Sequence, residues 1–421
     1  MNDLPGYVSE RIQEAKEKGL KELDLSREYV SPQDYKICSI PNEVFDLNSL
    51  EILKLRGNKL TTVQQKISKL KNLKSLDLSC NDFSLFPDSI SNLQNLTSLN
   101  LSENQLKKFP EWLGKLQNIT HLDLHYNSLE ELLTPVKELK NIIYLNLSDN
   151  FLKNIPEWLG QLNNLSHLDL SHNHIKDLPN HLAELQNINY LNLSDNSLEK
   201  LPSWLGQLND LSHLDLSHNQ IQDLPSSFHE LQNILSLNMN DNRFVRFPES
   251  IFLLNAIMSL DLSRNKLTEI PDNFKRIDKL EVLNLSFNKI DDIPESIGQL
   301  KKLRSLDLSF NMLNMFPECI VKLPELKSLN LSSNNISHIP DSIGQISELE
   351  RLSFYGNKLS TIPSSFLKLK ELKHLSLGSN LLTTIPDPIY KLPLLEQIDL
   401  SNLYHSDTII ISKKYHPKYK E

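Results

Sequence analysis

The side chains best able to do chemistry in this 421-residue chain recur at fixed intervals. His121, Tyr144, His167, Tyr190 and His213 follow one another at steps of 23 residues, and so do Asp149, His172, Asp195, His218 and Asp241. A histidine beside carboxylates gains a raised pKa and titrates near neutrality. Imidazole with carboxylate is also a donor set for a divalent ion. Three uses of the second column therefore stand open: a polar binding surface, a pH-tuned ladder and a metal site. If the steps are adjacent strands, alternate histidines lie about 10 Å apart, too far to share an ion; His172 with Asp149 or Asp195 is the nearest set. Ser166, His167 and Asp169 form a serine–histidine–aspartate grouping that returns from Ser212. It falls out of the recurring string LSHLDLS and is read as repeat sequence, not as a nucleophile triad. No His-Glu-x-x-His or Cys-x-x-Cys string occurs. No catalytic residue, cofactor or metal is assigned.

The 23-residue step governs nearly the whole chain, and a fixed period of this length marks a repeat architecture. The string L-x-x-L-x-L-x-x-N-x-L opens at Leu50, Leu53, Leu55, Asn58 and Leu60. Its asparagine returns as Asn81, Asn104, Asn127, Asn150, Asn173, Asn196, Asn219, Asn242, Asn265, Asn288, Asn311, Asn334, Asn357 and Asn380, with no insertion or deletion. A further repeat begins at Leu395, Ile398 and Leu400 and puts Leu403 where the asparagine belongs; an irregular unit with Leu20, Leu23 and Leu25 precedes the array. Positions are numbered here from the first leucine, so the asparagine is position 9. Leucines at positions 1, 4 and 6 are expected to point inward and stack on their copies, with a short parallel strand between them. The asparagine amide is expected to turn inward and satisfy backbone groups where the chain leaves the strand. The second half of each repeat reads LPxxLGxLxxL, as at Leu178-Pro179, and proline starts a turn or short helix there. No repeat buries its leucines alone, so the array forms one cooperative stack.

This string resembles the leucine-rich-repeat superfamily, and its 23-residue form with Leu-Pro is similar to the intracellular repeats of Ras-pathway scaffold and Roco proteins. The resemblance implies an α/β leucine-rich-repeat solenoid, a horseshoe with parallel strands on the concave face and short helices or 3-10 turns on the convex face. Expected boundaries are a cap helix within residues 1–19, an irregular first repeat over 20–49, about sixteen repeats over 50–401, and a cap with a basic tail over 402–421. Val8, Ile12 and Ala15 share one helix face that ends near Gly19. Thr408 to Ile411 is expected as a last strand. Roco proteins also carry a GTPase domain, but no G-x-x-x-x-G-K-[ST] string occurs here. Bacterial ubiquitin-ligase effectors with such repeats add a separate domain with a cysteine nucleophile, for which this length leaves no room.

Net charge is −9, which opposes non-specific nucleic-acid binding. The three cysteines, Cys38, Cys80 and Cys319, lie far apart and fit a reducing compartment. No apolar run fits a signal peptide or a membrane span, so the expected location is cytoplasmic, with export as an effector the alternative.

Equivalent outward positions line up into columns. Position 5 alternates acid and amide from Asp77 and Asn100 to Asp307 and Asn330, an arrangement that separates like charges and lets each asparagine bridge carboxylates. The alternations in positions 3 and 8 repeat every 46 residues, in step with a duplicated two-repeat unit, and so do Trp112, Trp158 and Trp204, which are expected to pack between coils. Further along, Leu235 and Met258 neighbour each other in one column; Arg264, Phe287 and Phe310 follow in another, with Val282, Met312 and Tyr355 nearby. Adjacent exposed aromatics with an arginine have the composition of an interaction hot spot. The expected function is a non-enzymatic scaffold or adaptor binding a protein on its concave face through His121, Tyr144, His167, Tyr190, His213, Arg264, Phe287, Phe310 and Tyr355. The alternatives are a secreted effector using the same face, and a pH- or metal-responsive regulator using the histidine–aspartate ladder.

Overall fold

A computed structural model of the chain describes residues 5–27, 36–85, 87–108, 111–132, 138–383, 389 and 391–402. The expected strand at Thr408 and the basic tail lie outside the described residues. By its contacts the chain forms two units, residues 1–211 and 212–421.

Each unit is a leucine-rich-repeat solenoid. Among the described residues, eight three-residue strands run from Glu22–Asp24 to Tyr190–Asn192 in the first, and nine run from His213–Asp215 to Gln397–Asp399 in the second. Within each unit successive strands pair in parallel and in register at a 23-residue offset, as Ser75 faces Ser98 and Leu283 faces Leu306. The irregular first unit pairs at 30 residues, Glu22 facing Ile52. The strands cover positions 3 to 5, so only the position-4 leucine of each points inward, joined by positions 1, 6 and 11. In the repeat of Asn288 these are Leu283, Leu280, Leu285 and Ile290, all essentially solvent-free. Each such side chain contributes about 2 kcal/mol of apolar burial, and each depends on the next coil for its cover.

The other side of most coils opens on a proline. Pro156 and Pro202 stand immediately before the 3-10 helices Glu157–Gln161 and Ser203–Gln207, with φ near −75°. The fixed proline φ starts the turn, and the leucine of the same segment closes it into the core. Trp158 is buried and its Nε1 donates to the Leu132 carbonyl of the preceding coil at 3.4 Å, so the tryptophan column packs between coils. Gly160 follows because a Cβ there would stand 2.0 Å from the His181 carbonyl oxygen.

At the start, an α-helix spans Gly6–Lys18 and buries Val8, Ile12 and Ala15. Gly19 ends it in the left-handed conformation at φ 61°, its N–H donating to the Ala15 carbonyl.

Candidate binding surface

The ladder asparagines fix where every outward side chain stands. Asn288 donates from Nδ2 to the carbonyls of Leu285, Ser286 and, one coil back, Leu262; its Oδ1 accepts from the Leu267 N–H at 3.0 Å. Within each unit the same set recurs along the ladder from Asn58 to Asn196 and from Asn242 to Asn380, Asn219 donates to Leu216 and Ser217, and all of these asparagines except Asn196 are buried. To swing the asparagine inward the chain reverses at position 8, which takes the left-handed conformation in every repeat from Gly57 to Asn402. The position-8 N–H is pinned there by the next coil: Arg264, Phe287 and Phe310 donate to the carbonyls of Ser286, Ser309 and Ser332. Glycine accepts this conformation freely, as at Gly57 and Gly356, whereas a side chain at φ above zero costs on the order of 1 kcal/mol, most for bulky residues.

Position 5 is a bonded lattice. At Asp169, Asp215, Asp261 and Asp307 the Oδ1 accepts from the N–H and Oγ of the serine two residues on, and the asparagine of the next coil donates to Oδ2, as Asn284 does to Asp261 at 2.8 Å and Asn330 to Asp307 at 3.0 Å. The column is structural, and its carboxylates are engaged.

In the first unit the aromatic column lies at position 3, within the strands. His121, Tyr144, His167 and Tyr190 stack with ring centroids 5.9, 4.6 and 4.0 Å apart, closing to an interplanar angle of 2° between His167 and Tyr190. Burial between two tyrosines pushes the His167 pKa down. His213 holds the same position in the second unit, where its Nδ1 meets the Ser212 hydroxyl at 2.7 Å. Asp215, which would complete a triad, bonds instead to Ser217 and Asn238. The equivalent Ser166 hydroxyl bonds to the Ile143 carbonyl and Asp169 to Ser171 and Asn192, so neither grouping assembles a relay.

Position 8 carries the histidine–aspartate ladder. His172 pairs with Asp195 at 3.4 Å, and His218 with Asp241 at 3.0 Å. Among the described residues no three His, Cys, Asp or Glu side chains converge as a metal-ligand set.

In the second unit the same column continues as Arg264, Phe287 and Phe310. The Phe rings stack face to face at 4.0 Å and 9°, and the Arg264 guanidinium lies 4.3 Å above the Phe287 ring. Phe287 and Phe310 remain 37% and 46% exposed, although φ is 53° and 54°. Met312, two residues on at position 10, is 49% exposed. Leu235 and Met258 stand exposed at position 2 and Val282 at position 3. Tyr355 belongs to position 7, half-buried in another column two coils on, so it stands apart from the Phe column.

Sequence reasoning missed three features. His125, at position 7, bonds Asp123 at 2.8 Å, and this hydrogen bond raises its pKa. Position 23 of the first unit holds a second amide column: Asn95, Asn118 and Asn141 each donate to a carbonyl of the preceding coil. It lines a groove of about 1080 Å³ together with Thr97, Thr120 and Ile143. At one end Glu51 takes hydrogen bonds from Lys21 and Lys74, which hold its pKa down at about 2. The third feature is the left-handed column itself. Its sequence signal was Gly57 and Gly356 in register with Phe287 and Phe310.

Comparison with known proteins agrees with this geometry. The leucine rich repeat family matches residues 135–175, 173–221, 186–244 and 255–313, and the leucine-rich repeat region family matches 11–135 and 314–413. No curated protein matches the sequence. Among solved structures, a leucine-rich-repeat protein of Leptospira interrogans is 34% identical with a TM-score of 0.86, over 92% of this chain and 98% of that one. A plant peptide hormone receptor, RGFR1 in complex with RGF2, is 29% identical with a TM-score of 0.71, over 91% and 69%. A TDR receptor is 28% identical with a TM-score of 0.76, over 94% and 70%.

Proposed function

Because the chain belongs to the leucine-rich-repeat family, we propose that it is a non-enzymatic scaffold or adaptor that binds a protein partner on its strand face. One observation carries the reading: two consecutive phenylalanines occupy a left-handed position and keep their rings in water. Asp, Asn, Ser or Gly at position 8 would relieve the backbone and the exposure together. Strained residues of this kind cluster at functional sites, and a partner covering the rings supplies the missing return. The likeness to a peptide hormone receptor solved in complex with RGF2 supports a polypeptide as the partner. A rigid stack of coils also lowers the ordering cost of binding.

The same reading places the protein in the cytoplasm. The described thiols are free, and burial pushes both Cys80 and Cys319 up to about 12, which leaves them unreactive in a reducing compartment. No helix is long and apolar enough to cross a membrane among the described residues.

The test compares wild type with Phe287→Ala/Phe310→Ala in affinity capture from the source organism's cytosol. The expected result is a protein held by wild type and lost by the variant, with Tm lowered by no more than a few degrees. Equal capture by both would remove the Phe column from the interface. A collapse of Tm would make the rings part of the core. A partner found only in a host lysate would replace the cytoplasmic reading with an exported effector.

A further inference from the structure

The Phe column is one of two parallel columns that grade together from charge to apolar surface. Position 10 beside it reads Arg243, Lys266, Lys289 and Met312, all exposed. Coil by coil, the strip begins with Asp241 beside Arg243 and passes through Arg264 with Lys266. It continues with Phe287 beside Lys289 and ends in Phe310 with Met312. Among the described residues no carboxylate lies within 4.0 Å of Arg243, Arg264, Lys266 or Lys289. The cations at position 2 behave differently: Lys74 pairs with Glu51, Arg304 with Glu281, and Lys327 and Lys373 with Glu350. The nearest acids of this strip are already engaged or follow later in the coil. Asp241 bonds His218, and the position-5 aspartates bond Asn284 and Asn330. Glu269 and Asp291 come past the buried Leu267 and Ile290.

We propose that this strip is the docking site for an extended acidic segment of a partner protein that ends in an aromatic or long aliphatic side chain. The inference rests on the reading above and names the chemistry of the partner. Two features favour a carboxylate-bearing chain. Over these four coils the two columns hold four cations, Arg243, Arg264, Lys266 and Lys289, against one acid, Asp241, so the strip is positive in a chain of net charge −9, which both orients and selects an acidic ligand. The Phe rings stack on each other, so one face of each is covered and their edges are turned outward. An aromatic edge carries the positive part of the ring quadrupole and favours oxygen anions. The same covering argues against single-stranded nucleic acid, which needs open ring faces for successive bases. Only the far face of Phe310 is free. It looks toward Ser333 and Gly356 at the next two position-8 sites, small residues that leave room for one partner side chain. Four coils span three strand steps, about 14 Å, the length of roughly four or five extended residues.

The experiment is selection of a random short-peptide display library on the full chain, on Arg243→Glu/Lys266→Glu/Lys289→Glu, and on Phe287→Ala/Phe310→Ala. Selected peptides are then measured by fluorescence anisotropy at low and high salt. Peptides enriched on wild type are expected to carry Asp or Glu beside Phe, Tyr, Trp or Leu. Binding is expected to weaken about tenfold or more in the charge-reversed variant and to fall with salt. Both variants are expected to keep the wild-type circular dichroism and Tm, because the altered side chains are exposed. Enriched peptides without acids, lost on Phe287→Ala/Phe310→Ala but indifferent to charge reversal, would overturn the acidic ligand while leaving the Phe surface in place. Peptides indifferent to both variants would overturn the surface as well. No enrichment on wild type would overturn the acidic segment. Labelled poly(U) bound in a manner that charge reversal abolishes would put nucleic acid in its place.

Discussion

The two units carry aromatic stacks on the same 23-residue frame but in different columns. In the first unit His121, Tyr144, His167 and Tyr190 stand at position 3, inside the strands, with extended backbone; His121 is exposed and the other three are half-buried. In the second unit Phe287 and Phe310 stand at position 8, on a left-handed backbone, with exposed rings. A strand position spaces side chains for stacking at no conformational cost, so the first stack needs no partner to explain it. The second combines backbone strain with apolar exposure, and its own ring contact, worth about 0.5–1.5 kcal/mol, only offsets the strain. An aromatic ladder in a repeat protein is thus informative about binding when it occupies the position least suited to it.

If this contrast is right, the frame beneath both stacks must be equivalent. Asn127→Ala in the first unit and Asn288→Ala in the second are each expected to destabilise by about 3 kcal/mol, because each leaves several buried backbone groups without a partner. Urea unfolding reads both. A variant of either that unfolds like wild type would show that the two stacks are held by different means, and the comparison would lose its common reference.

The sharper test is the order of alanine and glycine. At His167, in a strand, glycine is expected to be the less stable replacement by roughly 0.5–1 kcal/mol. At Phe310 the order is expected to invert, glycine being more stable than alanine by about 1 kcal/mol, because only there does the backbone demand positive φ. The same order at both sites would mean that the Phe column is not strained, and the main support for a partner at position 8 would go.

This left-handed column also marks where sequence reading stopped. The inward leucines were legible because one residue type recurs at positions 1, 4 and 6, and the asparagine ladder because position 9 tolerates no other side chain from Asn58 to Asn380. The turn side was legible from proline. Position 8 was not, because Cys80, Glu103, Tyr126, Asp149 and Phe287 share a backbone conformation while sharing no chemistry. The conformation is imposed by the asparagine beside it and by the next coil, so residue type at the position itself carries almost no signal. Pairings were legible only in part for the same reason: sequence offered His172 to Asp149 or Asp195, and geometry chose Asp195. His125 went unread because its column is otherwise serine, asparagine, tyrosine or glycine after Arg56.

The smallest expected effect separates two histidines of the first unit. The hydrogen bond to Asp123 raises the His125 pKa, so its contribution to stability is full below about 6.5 and fades as pH rises through the folded value. Burial in the tyrosine stack lowers the His167 pKa, so its contribution is full above about 6.5 and fades as pH falls through the folded value. His125→Asn should therefore fall further behind wild type as the solution is acidified. His167→Phe, which keeps a ring in the stack and cannot be protonated, should gain on wild type over the same range. Imidazole titrations followed by NMR would place the two midpoints on opposite sides of about 6.5. Midpoints that coincide would mean that the position-3 rings are open to water like those of the Phe column, and burial would no longer distinguish the two stacks.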